Sequence, residues 1–231
     1  MNRDTSRPNS TFFMGCAGLI ALYFPVSVIV HTIVLPEPSI PSTLAPRSGT
    51  VITNPRAGER IDIIRDRFET NGSLVEIEVT LRPGGAVPLA HLHQHTREQF
   101  IGLTGTTVLD VNGTTHRLSP GQSLVVEPRI PHVPSNPSDE TVRFRVIMTP
   151  PNNLDICLTQ VHALLADPSR SNAWLGRTLQ LMRFADAYDT YLAGPPLLLQ
   201  RIGLWLTTPT LRMLGYERFI PKTQPREVRP P

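Results

Sequence analysis

Hydrophobic and polar positions divide the chain into three textures. From Phe12 to Leu35 the run FFMGCAGLIALYFPVSVIVHTIVL contains no Asp, Glu, Lys or Arg, and as a helix it matches a hydrocarbon core about 30 Å thick. It predicts a membrane-spanning helix over 12–35, kinked at Pro25. A cleaved signal peptide is the rival, but its apolar region should be shorter, and the best small-residue site, Thr43-Leu44-Ala45, comes late. Gly15-Cys16 does not suit a lipoprotein cleavage site, because the apolar segment follows the cysteine. Arg3 and Arg7 precede the run and Arg47 is the first basic residue after it. That bias predicts a cytoplasmic N-terminus and an extracytoplasmic remainder.

After a 1–11 tail, the 12–35 span and a Pro/Ser-rich spacer over 36–50, the texture becomes β-type over 51–150. Segments 61–68, 74–81, 108–111, 124–127 and 142–148 recur at the spacing of an antiparallel barrel or sandwich. Asn112-Gly113 predicts a tight hairpin turn of type I′. Along Val142, Phe144, Val146 and Met148 apolar residues alternate with Arg143 and Arg145, as on a half-buried strand.

Over 151–219 the period turns helical. Trp174, Leu181, Ala185, Tyr188 and Leu192 define an apolar face, with Arg177, Gln180, Arg183, Asp186 and Asp189 opposite, and Gly194 as the stop. Pro195-Pro196 opens LLLQRIGLWL, and Thr208-Pro209 caps a further short helix. These two helices are too apolar to be left in water and are expected to dock on the barrel, with a membrane surface as the other partner. Residues 220–231 read as a disordered tail.

Composition narrows the function. The 231 residues carry a net charge of +3 with no dense basic run, so nucleic acid is excluded as a partner. The two cysteines, Cys16 and Cys157, build neither a disulfide nor a Cys-based zinc motif. The chemistry lies between Gly85 and Asn136. His91 and His93 leave one face of a strand, Glu98 follows at the start of the next inward-facing run, and His132 closes the set from a later strand. Three nitrogens and one oxygen suit a single divalent metal with positions left open. His95 continues the alternation and reads as a neighbour of the ligands; Phe100 reads as a core aromatic or pocket wall.

GAVPLAHLHQHTREQFIGLTG, with Gly85, His91, His93, Glu98 and Gly105, resembles the first motif of the cupin superfamily. GQSLVVEPRIPHVPSN, with Gly121, Pro128, His132 and Asn136, resembles the second, one residue short between Pro128 and His132 and without the usual glycine there. The resemblance implies a mainly β fold, a single cupin (double-stranded β-helix, jelly-roll) barrel with a C-terminal helical appendage, to which the apolar run over 12–35 adds an N-terminal transmembrane helix. It implies one divalent metal (iron, manganese, nickel or zinc) on His91, His93, Glu98 and His132, no organic cofactor, and a small-molecule substrate or ligand. It also implies pairing into a homodimer through edge strands. The expected activity is that of a metal-dependent enzyme of non-haem oxygenase or isomerase type, with Glu98 also accepting a proton. A non-catalytic binding or sensory module is the alternative.

Overall fold

In the computed structural model, residues 10–87, 89–166 and 174–221 are described. The β region forms two antiparallel sheets. One contains β1 (Val51–Asn54), β2 (Glu59–Arg65), β3 (Val75–Leu81), β5 (Arg97–Thr104), β8 (Ser123–Val126) and β10 (Val142–Thr149), in the order β1-β2-β3-β10-β5-β8. The other contains β4 (His91–Leu92), β6 (Thr107–Val111), β7 (Thr114–Leu118), β9 (His132–Ser135) and β11 (Tyr191–Leu192), in the order β11-β4-β9-β6-β7.

The period-two pattern explains why the sheets pack. Val75, Ile77, Val79 and Leu81 on β3 and Val142, Phe144, Val146 and Met148 on β10 point into one core, which Leu109 and Leu118 close from the second sheet. The intervening Arg143 and Arg145 face out and pair with Glu76 and Glu78. Asn112 and Gly113 both take positive φ, 51° and 78°, at the β6–β7 hairpin, as a type I′ turn requires.

A second core lies under the helices α2 (Leu154–Ala166) and α3 (Trp174–Ala187), where Ile156, Leu164, Phe184 and Tyr188 pack with Leu44 and Ala45. The face of α3 differs from the amphipathic expectation. Trp174 is 75% and Leu192 50% exposed, whereas Gln180 and Arg183 are buried. The buried polar groups are satisfied: Arg183 donates to Glu37 (2.7 Å) and to the Tyr216 carbonyl (3.0 Å), and Gln180 to the Glu217 carbonyl (2.6 Å). The helix also stops at Ala187, before Gly194, and Tyr191–Leu192 become a strand.

Two expectations are corrected here. Among the described residues no helix is long and apolar enough to cross a membrane, so the spanning helix over 12–35, and the topology and membrane placement built on it, do not hold. The run is broken: α1 (Ser10–Ile29) gives way to a single π-helical turn, Val30–Val34, and Leu35 leaves the helix. Polar groups hold that end, since Arg212 donates to the Leu35 carbonyl and to His31 Nδ1, while His31 Nε2 faces Glu37. Arg3, Arg7 and the 222–231 tail lie outside the described residues. Next, 197–213 is one helix, α4 (Leu197–Met213), with Pro209 inside it. It packs chiefly on α3 and α1, its Gln200 exchanges hydrogen bonds with the Leu192 main chain on β11, and it leaves Leu198, Leu199 and Trp205 more than half exposed.

Candidate metal centre

His91 and His132 are direct cross-strand partners on β4 and β9, so their rings leave the same face. Glu98, on β5 of the opposite sheet, points between the sheets toward them. His93 lies just past the short β4. One nitrogen from each histidine and one oxygen of Glu98 lie within 4.8 Å of one another. Ligands on opposite sides of an ion with bonds of about 2.1 Å would be about 4.2 Å apart, so small side-chain shifts bring all four onto one ion. His93, Glu98 and His132 are buried, and His91 alone is partly exposed.

Backbone carbonyls fix the orientation of all three rings. Nδ1 of His91 bonds to the Leu89 carbonyl (2.9 Å), that of His93 to the Asp189 carbonyl (2.9 Å) and that of His132 to the Ile130 carbonyl (3.1 Å). A carbonyl only accepts, so each Nδ1 carries the proton and each neutral ring keeps a lone pair at Nε2. His132 Nε2 then lies 2.7 Å from Glu98 Oε2, and both atoms are buried without a hydrogen-bond partner. Two acceptors at that distance repel unless a cation stands with them, either a second proton on the ring or a metal ion. The donor set therefore fits a divalent ion.

The electrostatics agree. Burial, then the neighbouring His93 and His132 rings, push the His91 pKa down to about 3. Burial also lowers that of His93, outweighing Glu98. Burial would raise the Glu98 carboxyl, yet His93 and His132 hold it at about 2. For His132 burial opposes protonation, but Glu98 beside it wins and the pKa rises. Glu98 is thus ionised, and His91 and His93 are neutral, as metal ligands must be.

Phe100, two residues beyond Glu98, closes the floor, with its ring centroid 5.7 Å from His132 and 6.1 Å from Phe144. His95 turns away; its side chain is exposed and lies 3.4 Å from Asp189. In the shortened second motif Arg129 occupies the left-handed region with φ 70°, and its N–H donates to the His93 carbonyl (2.6 Å). An arginine thus takes the backbone conformation that favours glycine, and His132 still reaches the site. Asp189 is the residue that sequence reasoning missed, because it was placed on the outer face of a helix. The signal was local: Thr190-Tyr191 ahead of Gly194-Pro195 reads as a short strand.

No curated protein matches the chain. Among solved structures it is similar to a predicted oxalate decarboxylase of Thermotoga maritima, at 17% identity over 39% of this chain and 79% of that one, with a TM-score of 0.38. It is similar also to the Cupin_2 domain of an XRE family transcriptional regulator from Enterobacter cloacae (17%, 40% and 96%, TM-score 0.35). A third is a sugar phosphate isomerase of the cupin superfamily from Silicibacter pomeroyi (22%, 48% and 75%, TM-score 0.37). Residues 77–149, the stretch that holds His91, His93, Glu98 and His132, match the family model Cupin_2, described as a cupin domain.

Proposed function

We propose that the barrel is a metal-dependent enzyme of non-haem oxygenase type acting on a small organic molecule. The observation that carries this reading is the set of three oriented Nε2 lone pairs around an ionised Glu98, with only His91 partly exposed. A bound divalent ion supplies Lewis acidity or a site for oxygen chemistry. The protein's own part is to orient the ligands, exclude water from three of them and present substrate from the His91 side. Glu98 also accepts a substrate proton when its ligation loosens.

A binding or sensory role is favoured by a different observation. A cavity of about 380 Å³ lies between α3, α4 and the segment around His31 and Glu37, with Met182, Ile202 and Trp205 beside Arg183 and Arg201. Its size suits a small ligand, and it lies away from the four converging side chains.

The test is elemental analysis of the full chain after reconstitution, followed by oxygen-uptake measurements with any co-purifying small molecule. About one equivalent of metal is expected, lost in His93→Ala, with oxygen consumed in the presence of the ligand. A wild-type protein that takes up no metal ends the enzyme reading; one that binds metal and ligand without turnover supports the sensory role.

A further inference from the structure

We propose that Asp189, supplied by the helical appendage, is the positioning residue of the metal centre, fixing His93 through its carbonyl and the backbone around His93 through its carboxylate. This rests on reading His91, His93, Glu98 and His132 as one metal centre.

The need for such a residue follows from β4. That strand is only His91–Leu92, and its ladder to β9 consists of the His91–His132 pair. The stretch His93 to His95 therefore lies beyond the sheet, and apart from the Arg129 N–H on the His93 carbonyl no main-chain ladder holds it. Asp189 takes over that task with three bonds. Its carbonyl accepts from His93 Nδ1 (2.9 Å), its Oδ1 from the Gln94 N–H (2.9 Å) and its Oδ2 from the His95 N–H (2.8 Å). The one carboxylate thus receives two consecutive backbone donors, the stronger charge-assisted kind of bond, while the same residue's main chain sets the ring.

The backbone at Asp189 is built for this double reach. Its φ is 52°, a left-handed conformation that aspartate tolerates better than most residues but that persists only where the surroundings hold it. The next residues lock it in place: Tyr191 pairs with Leu92 and Leu192 with His91, and the Ala193 N–H donates to the Ala90 carbonyl (3.0 Å). Asp189 is itself buried. A ligand imidazole held this way loses its rotational and tautomeric freedom before the ion arrives.

A purely architectural role, fastening the appendage to the barrel, makes a different prediction. The barrel has a second fastening, since Arg67 in the β2–β3 turn donates through Nε to Asp155 on α2 (2.7 Å) and through its guanidinium to the Asn152 carbonyl (2.8 Å), with no bond to any of the three ligand histidines. The experiment titrates the chelated full-length protein with Co²⁺, reading affinity and the visible ligand-field spectrum. Asp189→Ala is expected to weaken Co²⁺ about 10- to 100-fold and to change the spectrum. Asp189→Asn, which keeps one acceptor and the main-chain bond, should recover part of the affinity. Arg67→Ala should lower the unfolding temperature while leaving affinity and spectrum unchanged. Should Asp189→Ala fail to fold, Asp189→Asn against Arg67→Ala carries the same comparison. Wild-type affinity and spectrum in both Asp189 variants would overturn the proposal, as would an equal loss in Arg67→Ala. A wild-type protein that binds no Co²⁺ fails the metal reading and the proposal with it, whereas loss confined to the Asp189 variants upholds both.

Discussion

At the scale of single residues, the metal-free centre has a pH signature of its own. His91 and His93 have lowered pKa values in the fold, so below their ordinary value of about 6.5 the unfolded chain takes up protons that the folded chain refuses. Their contribution to stability is present above about 6.5 and is lost as pH falls below it, for His91 down toward about 3. The Glu98 contribution is lost in the same direction, from its ordinary value of about 4.5 down toward 2. His132 works the other way: its raised pKa stabilises below about 6.5, and that contribution disappears as pH rises through the folded value. Chelated protein should therefore unfold at its highest temperature near pH 6.5, and melting curves at about pH 4 and about pH 8.5 check both flanks. A second expectation concerns Arg129, exposed and left-handed. That conformation costs a residue with a Cβ about 1–2 kcal/mol, whereas glycine adds about 0.4–1 kcal/mol of unfolded-state entropy. Arg129→Gly is expected to stabilise by up to about 1 kcal/mol in a denaturant titration, and a lower midpoint contradicts it. The four converging side chains were legible in the sequence because strand alternation and motif spacing fix where a ligand points. Asp189 was not, since the short-strand signal that follows it does not tell which residues, here almost a hundred positions earlier, it meets.

Among elements, the strands followed their pattern and the helices did not. Period two is enforced by burial on one face of a sheet, so Val142 to Met148 read correctly down to the outward Arg143 and Arg145. On α3 the same logic failed, because Arg183 and Gln180 find enough acceptors inside, from Glu37, Tyr216 and Glu217, to be buried while Trp174 stays outside. Those acceptors come from distant segments and leave no periodic trace. One strand position carries a constraint unrelated to conformational freedom. At Gly102 on β5 a Cβ would meet the Ser119 carbonyl oxygen at 2.3 Å, and that oxygen is backbone. Gly102 also exchanges hydrogen bonds with the turn through Gln122 and Gly121, each at 2.9 Å. Gly102→Ala is expected to cost about 1–3 kcal/mol, typical of overpacking, seen as a lower unfolding temperature. An unchanged melting curve would mean that the turn yields freely.

For the whole molecule, the outward side of α4 should be separable from folding. Leu198 is 67% and Trp205 52% exposed, so Leu198→Glu with Trp205→Glu is expected to leave stability within about 0.5 kcal/mol while reducing binding of a hydrophobic dye. A large loss of stability would show that this side is covered. The pairing of β11 with β4 bears on something else, the order in which the protein is made. All four candidate ligands are part of the nascent chain once residue 132 has been added, but Asp189 follows after almost another quarter of the chain. At about 5–20 residues per second that is a delay of several seconds. Once β10 is made, a nascent barrel can meet metal ions with His93 still unclamped, so the fully tightened candidate centre exists only after Asp189 has joined it, in late synthesis or after release.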